Sequence, residues 1–297
     1  MVTSLLRGRC ADLRSSSSFP VLLVLAAVLS VQFGGALGAT LIPVVGVVGA
    51  VAIRLGLGAL IMLVLVRPGP RGHQWQDWAT VGAFGLALAA MNTAFYASLS
   101  RLPIGVAVTV EFVGPLLLAA ALSRHLRDGL AVMTAAAGVV LVSGVLTTPW
   151  SRIDLVGLLL AATAGAAWAV YIVLSARTGR RFRGTEGLAW AMVIGAMCTV
   201  PAGLWLEGTS LFGGEALVKG LGIAVLSSVL PYSLELVALR RMSAHVFGVL
   251  LSVEPAAAAL AGFLVLGQGL ENTQLLGMLL VTAASVGVTR RASDPVD

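Results

Sequence analysis

The chain consists of one apolar run of about 20 residues after another, and that repetition fixes what it can fold into. A helix of that length crosses ~30 Å of hydrocarbon and satisfies its backbone polar groups internally. Reading the runs against breaks at Pro, Gly and charge gives ten spans, approximately 20–39, 43–66, 78–98, 103–123, 129–146, 154–174, 185–206, 216–239, 244–266 and 273–288. A chain of 297 residues that is 58% hydrophobic and 11% charged, with a mean hydropathy of +0.99, has no soluble counterpart. The expected fold is therefore an all-α polytopic membrane protein with ten transmembrane helices. Loops mostly under ~12 residues make consecutive helices antiparallel and leave no room for a catalytic domain.

The basic residues orient the spans, because arginines in short loops accumulate on the cytoplasmic side. With the N-terminus inside, Arg7, Arg9, Arg14, Arg67, Arg71, Arg124, Arg127, Arg177, Arg180, Arg181, Arg183, Arg240, Arg241, Arg290 and Arg291 fall on the cytoplasmic face. Arg101, Arg152 and Lys219 fall outside, and Arg54 lies within a helix. Both termini are expected in the cytoplasm. The basic start and the apolar run ending at Gly38-Ala39 also resemble a secretory leader. The length of that run and its short link to the next span favour a retained helix. The pI near 10.3 thus reports loop charge rather than a nucleic-acid surface.

The two halves resemble one another. At a shift of 140 residues Leu99 falls on Leu239, Arg101 on Arg241, Val106 on Val246, Val113 on Val253, Pro115 on Pro255, and Asn92 on Tyr232. Gly138, Leu141 and Val142 match Gly277, Leu280 and Val281 at 139. Five helices per half is odd, so the second copy enters the membrane upside down. The expected organisation is a tail at 1–19, a first repeat at 20–148, an inverted second repeat at 149–289 and a tail at 290–297. Shared richness in Leu, Ala, Val and Gly is the competing explanation of the likeness. Inverted repeats recur in secondary transporters, where two similar halves exchange an inward-open for an outward-open state.

Glu111 and Glu254 lie ~12 and ~15 Å from the starts of their helices, too deep to snorkel to the interface. A charge there costs at least ~2.5 kcal/mol, so it faces a partner or a polar cavity. Pro115 and Pro255 each leave a carbonyl one turn upstream without its donor, either to bend the helix or to offer an acceptor. Pro231 is a third helix-kink candidate. Arg54, about eleven residues into the second span, either neutralises Glu111 or grips a substrate carboxylate through its forked guanidinium. Asn92 and Tyr96 share a helix face; with Gln32, Tyr232, Trp168 and Tyr171 they are further candidates for lining a substrate path or coupling protons. Glu235 precedes Arg240 and Arg241 and is expected to form an interfacial salt bridge. Gly34 and Gly38 suggest close helix packing. Cys10 and Cys198 have no disulfide or metal-ligand pattern, and His73, His125 and His245 have no partners at ligand spacing. No cofactor or enzyme motif is present, so neither catalysis nor ATP hydrolysis is expected. The expected partners are a transported solute, protons and the lipid bilayer, with no nucleic acid.

The stretch Ile104-Gly-Val-Ala-Val-Thr-Val-Glu111-Phe-Val-Gly-Pro115-Leu, with Leu230-Pro-Tyr-Ser-Leu-Glu235 and Ser252-Val-Glu254-Pro255, resembles the threonine/homoserine exporters of the EamA branch of the drug/metabolite transporter superfamily. Trp168-Ala-Val-Tyr171 and Ala52-Ile-Arg54-Leu fit the same pattern, and the resemblance runs from about Pro20 to Arg290. It implies ten helices in two five-helix halves, a bacterial-type inner-membrane location and export of amino acids, so that the expected partner is a small zwitterionic substrate. One departure is Leu266-Gly267-Gln268, where many relatives carry a glutamate after the Leu-Gly. Substrate range drifts within the superfamily, so export of drugs, nucleobases or other metabolites is the alternative. A non-transporting scaffold or an enzyme is the reading outside transport.

Overall fold

The structure, a computed structural model, describes residues 18–102, 104–122, 126–142, 146, 149, 154–254, 256–257 and 272–292. They form helices α1 (Phe19–Ala39), α2 (Ile42–Val66), α3 (Trp75–Leu99), α4 (Ile104–Ala121), α5 (Leu126–Val142), α6 (Leu155–Arg181), α7 (Glu186–Glu207), α8 (Gly214–Leu239), α9 (Ala244–Leu251) and α10 (Asn272–Ala292), with no strand among the described residues. Five are long and apolar enough to cross a membrane as described: α2, α3, α6, α7 with the 3-10 turn that follows it, and α8. Shorter apolar stretches in α1, α4, α5 and α10 accompany them. The ninth expected span continues past 257 outside the described residues, as do both tails, Arg152, Pro255 and the Leu266-Gly267-Gln268 loop.

Local chemistry explains the boundaries. Pro20 and Pro43 occupy the first turns of α1 and α2, where a missing N–H costs nothing. Gln74 and Asp77 form a capping box on α3, and Asp154 accepts from Gly157 N at 2.7 Å to cap α6. Gly46 breaks the first turn of α2 at φ 64°, and a Cβ there would lie 2.2 Å from Glu207 Oε1. Only glycine accepts both that backbone angle and that approach.

The surface is inverted relative to a soluble protein. Leu65, Met197, Leu279 and Leu117 are 63–70% exposed, whereas Arg54, Glu111, Glu235 and Glu254 are at most 9% exposed. Lipid explains both halves of that pattern. Hydrocarbon gives helices no hydrophobic reason to associate, so close packing through small residues has to serve. A Cβ on Gly114 would lie 1.9 Å from the Gly165 carbonyl oxygen, one on Gly85 2.6 Å from Ala191 O, and one on Gly138 2.8 Å from Gly277 O.

Helix α2 packs on α7, α3 on α6 and α7, α4 on α6 and α9, α5 on α10, and α1 on α8. Contacts at the helix ends make successive helices alternate in direction. At one end Arg181 pairs with Asp77 at 2.9 Å, Arg241 lies 4.9 Å over the Phe19 ring, and Arg240 donates to the carbonyls of Gly179, Phe182 and Gly184. Desolvation there pulls the Arg240 guanidinium below the ordinary arginine value. At the other end Arg101 pairs with Asp154 at 3.6 Å, Lys219 reaches Thr40 O at 3.4 Å, and Glu207 meets Gly46.

Candidate functional site

The site begins at a proline. Pro231 has no N–H, so in the α register the Ser227 carbonyl loses its donor and in the wider π register the Leu226 carbonyl does. The chain responds with a π turn over Val225–Val229 inside α8. Both freed carbonyls are satisfied from other helices: Ser30 Oγ on α1 donates to Leu226 O at 2.6 Å, and Arg54 Nη2 on α2 donates to Ser227 O. Gly34 permits the approach of α1, since a Cβ there would sit 2.1 Å from Ser227 Oγ. Gly38 faces the Tyr96 hydroxyl in the same way, as the small-residue pair suggested.

Arg54 is the hub. Besides Ser227 O it donates from Nε to Ser228 Oγ at 2.8 Å, from Nη1 to Tyr96 Oη at 3.3 Å and from Nη2 to Tyr232 Oη at 3.1 Å. Asn92 Nδ2 donates to Leu88 O at 2.8 Å and to Tyr232 Oη at 3.1 Å. Four of the five guanidinium hydrogens thus meet protein acceptors, and one on Nη1 is left over among the described residues. Glu111 and Arg54, expected as an ion pair in one of two readings, form no direct contact: no ion pair of Arg54 with a carboxylate occurs among the described residues.

The acids gather around this hub. Glu111 and Glu254 are each 8% exposed and lie within electrostatic range of Arg54, and Glu254 also within range of Glu111 and Glu235. Pro115 leaves the Glu111 carbonyl without its helical donor, and Gly165 of α6 packs there: its Cβ would lie 2.5 Å from that oxygen. The pairing expected for Glu235 is overturned. Glu235 is 3% exposed and its Oε2 accepts from the Tyr171 hydroxyl at 2.6 Å, while Arg240 is committed to the carbonyls at the end of α6. Spacing alone suggested the bridge, but α8 turns the acid inward and the arginine toward α6.

Of the sequence candidates, Arg54, Asn92, Tyr96 and Tyr232 share one hydrogen-bonded network, and Tyr171 joins it through ring contact with Tyr232 at 5.5 Å. Trp168 packs edge-on against Phe112 at 4.9 Å, beside Glu111 in sequence, and makes no polar contact among the described residues. Gln32 is half-buried, with no hydrogen bond among the described residues. Ser30, Ser227 and Ser228 went unread, and Glu235 was read only as an interfacial ion pair. Pro231 was the available signal for Ser227, by the same four-residue rule that pointed to the carbonyl before Pro115.

A lipid-exposed helical bundle that buries three carboxylates, a guanidinium and an amide around one helix break defines a polytopic membrane protein with a polar interior. An EamA-like transporter family model matches residues 155–290. The chain is 40% identical over 270 residues to the threonine/homoserine exporter RhtA of Salmonella typhimurium, and 38% identical to that of Escherichia coli K12, with 91% of each chain covered in both comparisons. A solved crystal structure of a protein 19% identical superposes with a TM-score of 0.75, over 93% of this chain and 98% of its own, and shows the fold alone. The chain belongs to the EamA-like transporter family and is a transporter, not an enzyme.

Proposed function

We propose that the chain is a proton-coupled exporter of small amino acids of the threonine/homoserine type, working by alternating access in a bacterial inner membrane. The observation that carries this reading is the excess of buried acid: Glu111, Glu235 and Glu254 surround a single guanidinium whose hydrogens are mostly spent on protein oxygens. A buried carboxylate without a cation is expensive, and either a proton or a substrate ammonium relieves it. Those two cations compete for Glu111 and Glu254, so a proton arriving from outside displaces the ammonium and releases the substrate. The spare Nη1 hydrogen of Arg54 and the Tyr96 hydroxyl offer donors to the substrate carboxylate, with Asn92 and Tyr232 shaping the other wall. The names of the relatives supply the cargo class.

Alternating access requires two inverted units, at 20–148 and 149–289, and the helix pairing supports them. Exchanging each helix with the one five later maps the pairs α2–α7, α4–α9 and α5–α10 onto themselves and turns α3–α6 into α8–α1; all of these occur. Asn92 and Tyr232, equivalent at the shift of 140, touch each other, as do Gly138 and Gly277 at 139. Contact between equivalent residues is what a two-fold axis between the halves would give. His245 Nδ1 at the start of α9 lies 2.8 Å from Ala119 O near the end of α4, so that self-paired couple is antiparallel, which supports an axis running across the helices. The positive-inside rule supports a cytoplasmic position for the end carrying Arg181, Arg240 and Arg241, and with it the reading that both termini are cytoplasmic.

The test uses purified protein in liposomes with labelled threonine and an imposed pH gradient. Wild type accumulates threonine in the direction that exchanges it for protons, and Glu254→Gln inserts normally but does not. Unchanged accumulation by that variant, or preference for cationic dyes over threonine, refutes the reading.

A further inference from the structure

We propose that Glu235 and Tyr171, with the hydroxyls of Ser175 and Thr178, form a proton branch leading from the buried acids to the arginine-rich end, separate from the place where substrate sits. The proposal rests on the antiport reading above and adds a route to it.

Glu235 is nearly sealed and accepts one hydrogen bond, from Tyr171 on α6 at 2.6 Å. The charged and titratable groups facing it are Tyr171, Arg54 on α2, Tyr232 on its own helix and Glu254 after α9. Helix α1, which packs along the same part of α8, contains no ionisable side chain. A single neutral donor does not satisfy a buried carboxylate, so this one holds a proton for part of the cycle.

The surroundings show where that proton can go. Tyr171, Ser175 and Thr178 stand at i, i+4 and i+7 of α6, on one stripe, and each is 0% exposed. Elsewhere in the bundle helical threonines turn their hydroxyls back to the carbonyl four residues before, as Thr80, Thr134, Thr163, Thr199 and Thr282 do. Ser175 and Thr178 do not: neither buried hydroxyl makes a hydrogen bond of good geometry, although Ser175 lies within reach of the Tyr171 hydroxyl. The indole N–H of Trp190 on α7 is in the same condition. Thr178 packs against Gly187, one turn before Trp190, so these two orphaned groups lie close together where α6 meets α7. Trp190 meets Trp78 edge-on at 5.3 Å, and Trp78 meets His73 at 6.0 Å, beside the Asp77–Arg181 pair at the end of the bundle.

Orphaned polar groups in a buried seam are the partners a water needs to stay there. In the proposed step the O–H bond of protonated Glu235 breaks and the proton passes to a water held by Ser175 and Thr178. The hydronium charge moves on along the seam to solvent at the arginine-rich end. The carboxylate left behind keeps the Tyr171 hydrogen bond and is reprotonated from Glu254.

Two assays on the same proteoliposomes separate the possibilities: accumulation driven by a pH gradient, and counterflow, in which labelled threonine exchanges for unlabelled threonine with no gradient. One proton per substrate gives wild type about tenfold accumulation per pH unit. Glu235→Gln is expected to lose that accumulation while its counterflow stays at the wild-type rate. The double variant Ser175→Ala, Thr178→Val is expected to slow driven accumulation about tenfold with counterflow unchanged. Tyr171→Phe should move the pH at which the driven rate is half-maximal. Driven accumulation at wild-type level in either Glu235→Gln or the double variant overturns the branch, as does joint loss of driven transport and counterflow in Glu235→Gln. Should Glu235→Gln fail to insert, the double variant decides alone. A wild type indifferent to the gradient refutes the antiport reading itself, and the branch with it.

Discussion

Arg54→Lys separates two roles that a guanidinium at membrane depth can play. In the structure Arg54 ties α2 to α3 and α8 through four hydrogen bonds, to Ser228 Oγ, Tyr96 Oη, Tyr232 Oη and the Ser227 carbonyl that Pro231 leaves without a donor. Lysine keeps the charge but concentrates its donors on one nitrogen, which cannot reach positions spread over Nε and both Nη atoms. At least two of the four bonds are lost, and charge-assisted bonds contribute about 1.5–3 kcal/mol each, so the variant should be about 3–6 kcal/mol less stable. With about 2–4 °C per kcal/mol for chains of comparable size, the melting temperature in detergent should fall on the order of 10 °C. Tryptophan fluorescence during heating measures this, and counterflow on the same preparation measures transport. If melting is unchanged and only the KM for threonine rises, the guanidinium serves as a substrate clamp and the network described here is not what holds it.

Glu111→Gln should abolish both driven transport and counterflow while leaving insertion intact, because Glu111 is assigned to the substrate ammonium; counterflow in proteoliposomes checks it. Gly114→Ala would set a Cβ 1.9 Å from the Gly165 oxygen and should destabilise by about 1–3 kcal/mol or more. Gly82→Ala, with nothing within 4 Å, should stabilise by up to about 1 kcal/mol; melting curves in one detergent compare the two. Asp154→Asn retains the cap on α6 and loses only the half-exposed pair with Arg101, so it should cost less than about 0.5 kcal/mol. Asp154→Ala also loses the cap and should cost about 1 kcal/mol more.

The helix boundaries were legible because insertion into lipid leaves so few options: each apolar run must become a helix, and Pro20, Pro43 and Asp154 mark starts where sequence rules expect them. Arg54, Asn92, Tyr96 and Tyr232 were legible for the opposite reason, since polar groups in such runs must find one another. Glu235 was not. Its sequence neighbours Arg240 and Arg241 looked like partners, and which way a carboxylate turns depends on the rotation of α8, which a five-residue π turn resets without any Gly or charge to announce it. The partners of Arg240 were hidden for a related reason: they are backbone carbonyls at the end of α6, and backbone acceptors have no sequence signature.

That π turn also fixes the aim of everything downstream. It holds one residue more than an ordinary turn spends, and each residue of α-helix corresponds to about 100° of rotation. Tyr232, Glu235 and Arg240 all lie beyond it. Were the surplus residue to be absorbed by tightening Val225–Val229, the carboxylate would swing about a quarter-turn away from Tyr171, and the carbonyls met by Ser30 and Arg54 would shift with it. A serine and an arginine on two other helices therefore act as the stops that keep this coil wound to one setting.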